Sequence, residues 1–265
     1  MQIPSLEIKG YRNFKNLYLP SLGHINLIVG RNNIGKSSLL EALWIYAKRA
    51  SLSTLNQILE QREEYVRRRV IMSDRDRVEE NEDRNQWQTA LESLFYGRGK
   101  ISESDFKEAN FSIKAGNSSK SPTLRVSLSL SESITSGQNS LFNIDNIENE
   151  IRPYLRVYFQ NEVIFEQSVQ NRRPSNLPLI SPQLALYVPT GSFSSSEMQK
   201  LWNSVALQSS EDIVLESLRI LSPDVQRLNY LVGTDLMRGY PIIKLKNSNT
   251  PVPLKSLGEG MTRLL

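Results

Sequence analysis

Gly30, Gly35, Lys36 and Ser37 stand at the spacing G-x-x-x-x-G-K-S, after the apolar run Ile25 to Val29 and before a helix-like segment, Leu39 to Ala47. Strand, glycine-rich turn and helix in that order restrict the chain to an α/β layout in which a helix N-terminus faces an anion. Gly30 and Gly35 let the backbone turn tightly enough for successive N–H groups to converge on phosphate oxygens. Lys36 would neutralise the β- and γ-phosphates of a nucleotide. Ser37 would set its hydroxyl on Mg²⁺, a hard cation that takes oxygen ligands. Glycine-rich turns arise in loops by chance, but chance does not readily place Gly-Lys-Ser between a strand signal and a helix signal.

With 265 residues, 39% of them hydrophobic, the chain can bury a sizeable core as one large domain or two modest ones. No apolar run approaches the length that spans a bilayer, and the N-terminal MQIPSLEIKG lacks the basic-then-apolar layout of a secretory signal. A cytoplasmic location without a membrane partner is the default expectation. The absence of Cys excludes disulfides, thiolate zinc sites and cysteine nucleophiles. The lone histidine, His24, has no visible set of metal or triad partners and reads as a surface or strand-edge residue. The net charge of +4, from 32 basic and 28 acidic side chains, is a mild bias towards polyanions. The sharpest basic cluster, Arg67 to Arg69, lies among Glu60, Glu63, Glu64, Asp74 and Asp76, a mixture that fits a solvated helix face with i,i+4 pairs at least as well as a nucleic-acid groove.

Residues 5–9 and 15–19 alternate apolar and polar and read as a small hairpin, whereas the continuously apolar Ile25 to Val29 reads as a buried core strand. After the loop, Leu39, Leu40, Leu43, Trp44 and Ala47 recur at helical spacing, so one face of that helix packs on a sheet. From about residue 51 to 104 an inserted helical element is expected, with helices near 53–72 and 86–96 around a mobile polar centre. Strand signals follow at Asn110 to Ala115, Thr123 to Leu130, Tyr154 to Gln160 and Val163 to Ser168, the last two joined by Asn161-Glu162. These strands predict an antiparallel sheet beside the nucleotide core. Leu184 to Val188 reads as another core strand, delivering Thr190 and Ser192 to a site at its carboxyl end. Helices near 195–208 and 211–221 and strands near 227–232 and 241–246 lead to a closing stretch, Ser256-Leu257-Gly258-Glu259-Gly260, before a last helical turn. A nucleotide-binding lobe over 1–192 and a helical lobe over 193–265 are therefore expected.

The opening SLEIKGYRNFKN and INLIVGRNNIGKSSLLEAL, with the closing PLKSLGEGMTRLL, resemble the ATPase domain of the overcoming-lysogeny-defect (OLD) family, a RecF-like branch of the ABC-type ATPases. The likeness is dense over the first fifty residues, while the middle of the chain adds only a compatible order of elements. It implies a P-loop NTPase fold with an ABC-type mixed sheet around the phosphate-loop helix, a flanking antiparallel sheet and a helical subdomain. It also implies ATP and Mg²⁺, with Asn32, Asn33, Ile34, Gly35, Lys36, Ser37 and Ser38 around the triphosphate. Arg12 and Asn13, at the bend of the first hairpin, match positions that approach the nucleotide; read from the residues alone they are equally a polar turn. Ser256, Gly258 and Gly260 resemble the ABC signature, which binds the γ-phosphate held by a second subunit, so a homodimer is implied. Thr190 falls where the family carries a Mg²⁺-sensing glutamine, and that departure leaves the role of Thr190 open.

The family further needs an acidic strand after the signature helix, ending in Asp-Glu, and the sequence holds none; Val163-Ile164-Phe165-Glu166 lacks the Asp and precedes the signature. The resulting expectation is a truncated or N-terminal portion of a longer ATPase that binds ATP better than it hydrolyses it. DNA transactions or phage defence, with a DNA or nuclease partner, follow from the resemblance only. A GTPase is disfavoured because neither Asn-Lys-x-Asp nor Asp-x-x-Gly occurs, and a small-molecule kinase would not account for Ser256 to Gly260. An interaction module with a vestigial nucleotide site is the remaining alternative.

Overall fold

The computed structural model describes residues 3–65, 86–98, 109–132, 151–169, 185–189, 193, 195–231 and 239–264. The chain forms two compact units, Met1–Tyr187 and Val188–Leu265.

The first unit is built on an antiparallel sheet. β1 (Leu6–Tyr11) and β2 (Phe14–Leu19) form the expected hairpin, in which Leu6 and Ile8 are fully buried while Lys9 faces out. β3 (Ala109–Ala115), β4 (Thr123–Glu132), β5 (Ile151–Phe159) and β6 (Glu162–Ser168) extend it in the order β2-β1-β3-β4-β5-β6. Alternation sets the register: Ile8, Ile113, Leu124 and Phe159 lie along one row, and Phe111, Val126 and Val157 along the next. β5 and β6 meet through Gln160 (φ 54°) and Asn161 (φ 69°), so the tight turn lies one residue earlier than the sequence indicated.

Helices cover the inner face of this sheet. α1 (Lys36–Ala47) buries Leu39, Ala42, Ile45 and Tyr46, and α2 (Leu52–Gln61) buries Leu55, Ile58 and Leu59. Ser51 caps α2, its hydroxyl accepting from the Thr54 N–H at 3.4 Å. Helical residues 86–92, termed α3, contribute Trp87, Ala90 and Leu91 to the same core, and Trp87 Nε1 donates to Asn56 Oδ1 at 2.9 Å. Each fully buried Leu, Ile or Phe contributes roughly 1.5–3 kcal/mol. Residues 66–85, which include the Arg67–Arg69 cluster and the expected polar centre of the insertion, lie outside the described residues.

Two expected core strands are corrected. Residues 25–29 run without assigned secondary structure, and Ile25, Leu27 and Val29 are exposed (93%, 88% and 79%), with only Ile28 resting on the core. Residues 185–189 likewise form no strand, and Leu186 and Val188 are exposed. The cause is common to both: neither segment has a hydrogen-bonded neighbour among the described residues. Every strand pairing described is antiparallel, so the mixed sheet expected around the loop helix is absent among the described residues.

The second unit contains α4 (Ser195–Val205), α5 (Ser209–Leu221), a β7-β8-β9 sheet (Val225–Leu231, Tyr240–Leu245, Val252–Pro253) and α6 (Glu259–Leu264). Glu211, in the first turn of α5, accepts from the Leu207 N–H at 2.7 Å and so closes the start of that helix. Trp202, Leu215, Leu218, Val225, Leu228, Ile243, Leu254 and Met261 form a separate core. No helix among the described residues is long and apolar enough to cross a membrane.

Candidate phosphate site

The chain turns at residues 32–35 before entering α1. Two residues take left-handed backbone, Asn33 at φ 63° and Gly35 at φ 105°. Gly35 is the N-cap of α1 and supplies no side-chain cap. The first helical bond runs from the Leu39 N–H to the Gly35 carbonyl at 2.9 Å. The amides of Lys36, Ser37 and Ser38 consequently make no hydrogen bond among the described residues. Unpaired N–H groups at the positive end of a twelve-residue helix form an anion-binding arrangement. Access is open, since Arg31, Asn32, Asn33 and Ile34 are all exposed.

The loop is held from three directions. Lys36 folds back so that Nζ donates to the Gly30 and Arg31 carbonyls at 2.7 and 2.8 Å. Asn13, at the tip of the β1–β2 hairpin, donates through Nδ2 to the Asn33 carbonyl at 3.2 Å. The tip of the Phe14 ring abuts Gly35, where an added Cβ would come 2.7 Å from Cζ and 2.9 Å from Cε1. Besides its left-handed backbone, Gly35 is therefore required for this close approach.

Beneath the loop lies a buried charge network. Glu41, whose side chain is 5% exposed, takes Arg62 Nε at 2.8 Å and the Tyr11 hydroxyl at 3.1 Å, with Arg12 Nε at 3.2 Å. Arg12 also makes a bidentate pair with Glu64, both bonds 2.9 Å, and Glu64 accepts from the Ser93 hydroxyl at 2.9 Å. Arg62 Nη2 reaches Ser38 Oγ at 3.3 Å. Burial alone would raise the Glu64 carboxyl, but the hydrogen bonds and charge of Arg12 outweigh it and hold Glu64 below its ordinary value. Burial, reinforced by Glu41, pushes the Tyr11 phenol well above its usual range, which keeps it a hydrogen-bond donor.

The structure thus brings together Gly30, Asn32, Asn33, Ile34, Gly35, Lys36, Ser37, Ser38 and Asn13. Arg12 stands beside them with its guanidinium turned inward onto Glu64 and Glu41. Thr190 lies outside the described residues, as does Ser192. Ser256, Gly258 and Gly260 belong to the second unit. There Ser256 Oγ donates to the Pro253 carbonyl at 2.6 Å, Gly258 takes φ 104°, and all three residues are exposed. Sequence reasoning missed Glu41, Arg62 and Glu64. The available signal was Glu41 itself, a single carboxylate inside the apolar LLEALWIY segment, which demanded a cationic partner from elsewhere in the chain.

A family model described as an AAA ATPase domain matches residues 1–265. A Helicobacter pylori protein named ATP/GTP phosphatase is 43% identical over 58 residues, 22% of this chain and 15% of that protein. The DNA replication and repair protein RecF of Clostridioides difficile is 35% identical over 54 residues, 20% of this chain and 15% of RecF. An uncharacterized protein of Methanocaldococcus jannaschii is 48% identical over 44 residues, covering 17% of this chain and 20% of that protein. These curated relatives are therefore matched over a fifth of their length or less.

Proposed function

The chain belongs to the AAA ATPase domain family, and from that premise we propose that it is the ATP-binding module of an ABC-type ATPase of the RecF-like or OLD-like branch. The observation that carries this reading is the set of unpaired amides at Lys36, Ser37 and Ser38 beneath an exposed turn. On phosphate binding, Lys36 exchanges its two carbonyl acceptors for phosphate oxygens, a change that needs only rotation of its side chain. Ser37, whose hydroxyl makes no hydrogen bond among the described residues, fits a Mg²⁺ ligand, and the metal would supply charge neutralisation between phosphates.

Binding is favoured over turnover. Among the described residues, the carboxylates beneath the loop, Glu41 and Glu64, are both committed to arginines, so neither is free to orient a water for attack. The exposed Ser256, Gly258 and Gly260 at the start of α6 support a second element of the reading, a dimer closed by ATP across two copies. A role in DNA transactions or phage defence follows the resemblance and the name of the RecF relatives.

Thermal unfolding and sedimentation with and without Mg-ATP test both parts. We expect millimolar Mg-ATP to raise Tm and to populate a dimer, and Lys36→Ala to abolish both effects. An unchanged Tm in the unaltered chain would overturn ATP binding. A raised Tm without any dimer would confine the function to nucleotide binding, whereas the unchanged Tm would leave the second reading, an interaction module with a vestigial nucleotide site, in its place.

A further inference from the structure

A cation absent from the phosphate-loop motif stands at its base. Arg62 is the C-cap residue of α2, its N–H donating to the Ile58 carbonyl at 3.3 Å, and its side chain crosses to α1. There Nε binds Glu41 and Nη2 binds Ser38 Oγ, while Nη1 makes no hydrogen bond among the described residues. Arg12 is held bidentately by Glu64 and lies 3.2 Å from Glu41 through Nε, so the network sets two guanidiniums against two carboxylates and is neutral with Arg62 in place. Its side chain is 32% exposed, against 5% for Arg12, so this guanidinium is the one in the network that retains access to the surface. Ser38 carries one of the three unpaired amides, and its side chain is buried under Arg62.

Resting on the phosphate-loop reading above, we propose that Arg62 is a second cationic element of the nucleotide site, acting at Ser38 on the α- and β-phosphate side while Lys36 serves the terminal phosphate. The division follows from position. Backbone amides of such a loop cradle the α- and β-phosphates, and the lysine reaches the β- and γ-phosphates. Arg62 therefore contributes equally to ATP and ADP, whereas Lys36 discriminates between them. Because the guanidinium is anchored on α2, occupancy of the loop and the docking of α2 against α1 are linked, each favouring the other.

Calorimetric titration of the 265-residue chain with Mg-ATP and Mg-ADP tests this. Arg62→Gln is expected to weaken both nucleotides about tenfold, the order of one charge-assisted contact. Arg62→Lys, which keeps the charge, is expected to retain most of the affinity. The double variant Glu41→Gln/Arg62→Gln removes the buried carboxylate together with its partner, so a merely structural Arg62 would let affinity recover. Continued weak binding of both nucleotides by the double variant is the expected result. Wild-type affinity in Arg62→Gln, or recovery in the double variant, would overturn the assignment while leaving the phosphate loop intact. No binding by the unaltered chain would remove the phosphate site and this inference with it.

Discussion

Gly35 carries two requirements at one Cα. Its φ of 105° excludes most side chains, and the Phe14 ring occupies the space a Cβ would need. Gly35→Ala should therefore cost about 2 kcal/mol from left-handed strain and displacement of Phe14. It should also eliminate the Mg-ATP shift in Tm, because the unpaired amides follow immediately. Urea unfolding and nucleotide-dependent melting check the two effects separately. A shift preserved in the variant would show that the turn reaches its binding shape by another route. Asn13 illustrates a similar economy, since one side-chain amide ties the hairpin tip to the loop backbone at Asn33.

At the scale of elements, α2 is joined to α1 and to the first hairpin by ions as well as by apolar contact. Glu64 has its folded-state value held below the ordinary 4.5. Its stabilising contribution is thus complete above that pH and is lost as pH falls through the depressed value. Glu64→Gln should lower stability at pH 7 by about 2 kcal/mol, less than for a fully buried pair because the carboxylate is partly exposed. It should also flatten the loss of stability below pH 4.5, as followed by urea unfolding at pH 7 and pH 3. An unaltered acid profile would mean that other carboxylates govern acid unfolding.

Much of this level was legible in the sequence. β3 to β5 follow the alternation of Phe111, Ile113, Leu124, Val126, Leu155 and Val157, and α5 follows its acidic first turn. The turn at residues 32–35 and the helix after it followed from the spacing of Gly30, Gly35, Lys36 and Ser37 ahead of the helical pattern. Two kinds of information were not legible. Residues 25–29 have strand composition, yet a strand exists only with a hydrogen-bonded neighbour, and local periodicity carries no record of one. Arg62 and Glu64 sit in a charge-rich segment that reads as solvated helix surface, while their partners Glu41, Ser38 and Arg12 lie 21 to 52 residues away. Pairing over that separation leaves no local pattern.

For the whole molecule, the two cores share no residue: one centres on Ile8, Ile113, Leu124 and Ile45, the other on Trp202, Leu218 and Ile243. Ile113→Ala and Leu218→Ala should each remove about 3 kcal/mol from their own unit, given their complete burial. Calorimetry should then show two transitions, each variant lowering one of them. A single transition lowered by both would mean that the units unfold together.

The exposed ribbon Ile25, Leu27 and Val29 runs straight into Gly30, so greasy side chains and the turn proposed to hold phosphate occupy neighbouring positions on one stretch of backbone. Water wets that ribbon at a standing cost. Anything that shields it gains energy directly beside that turn and, on the proposed function, can thereby stiffen or slacken the grip on a nucleotide without touching it.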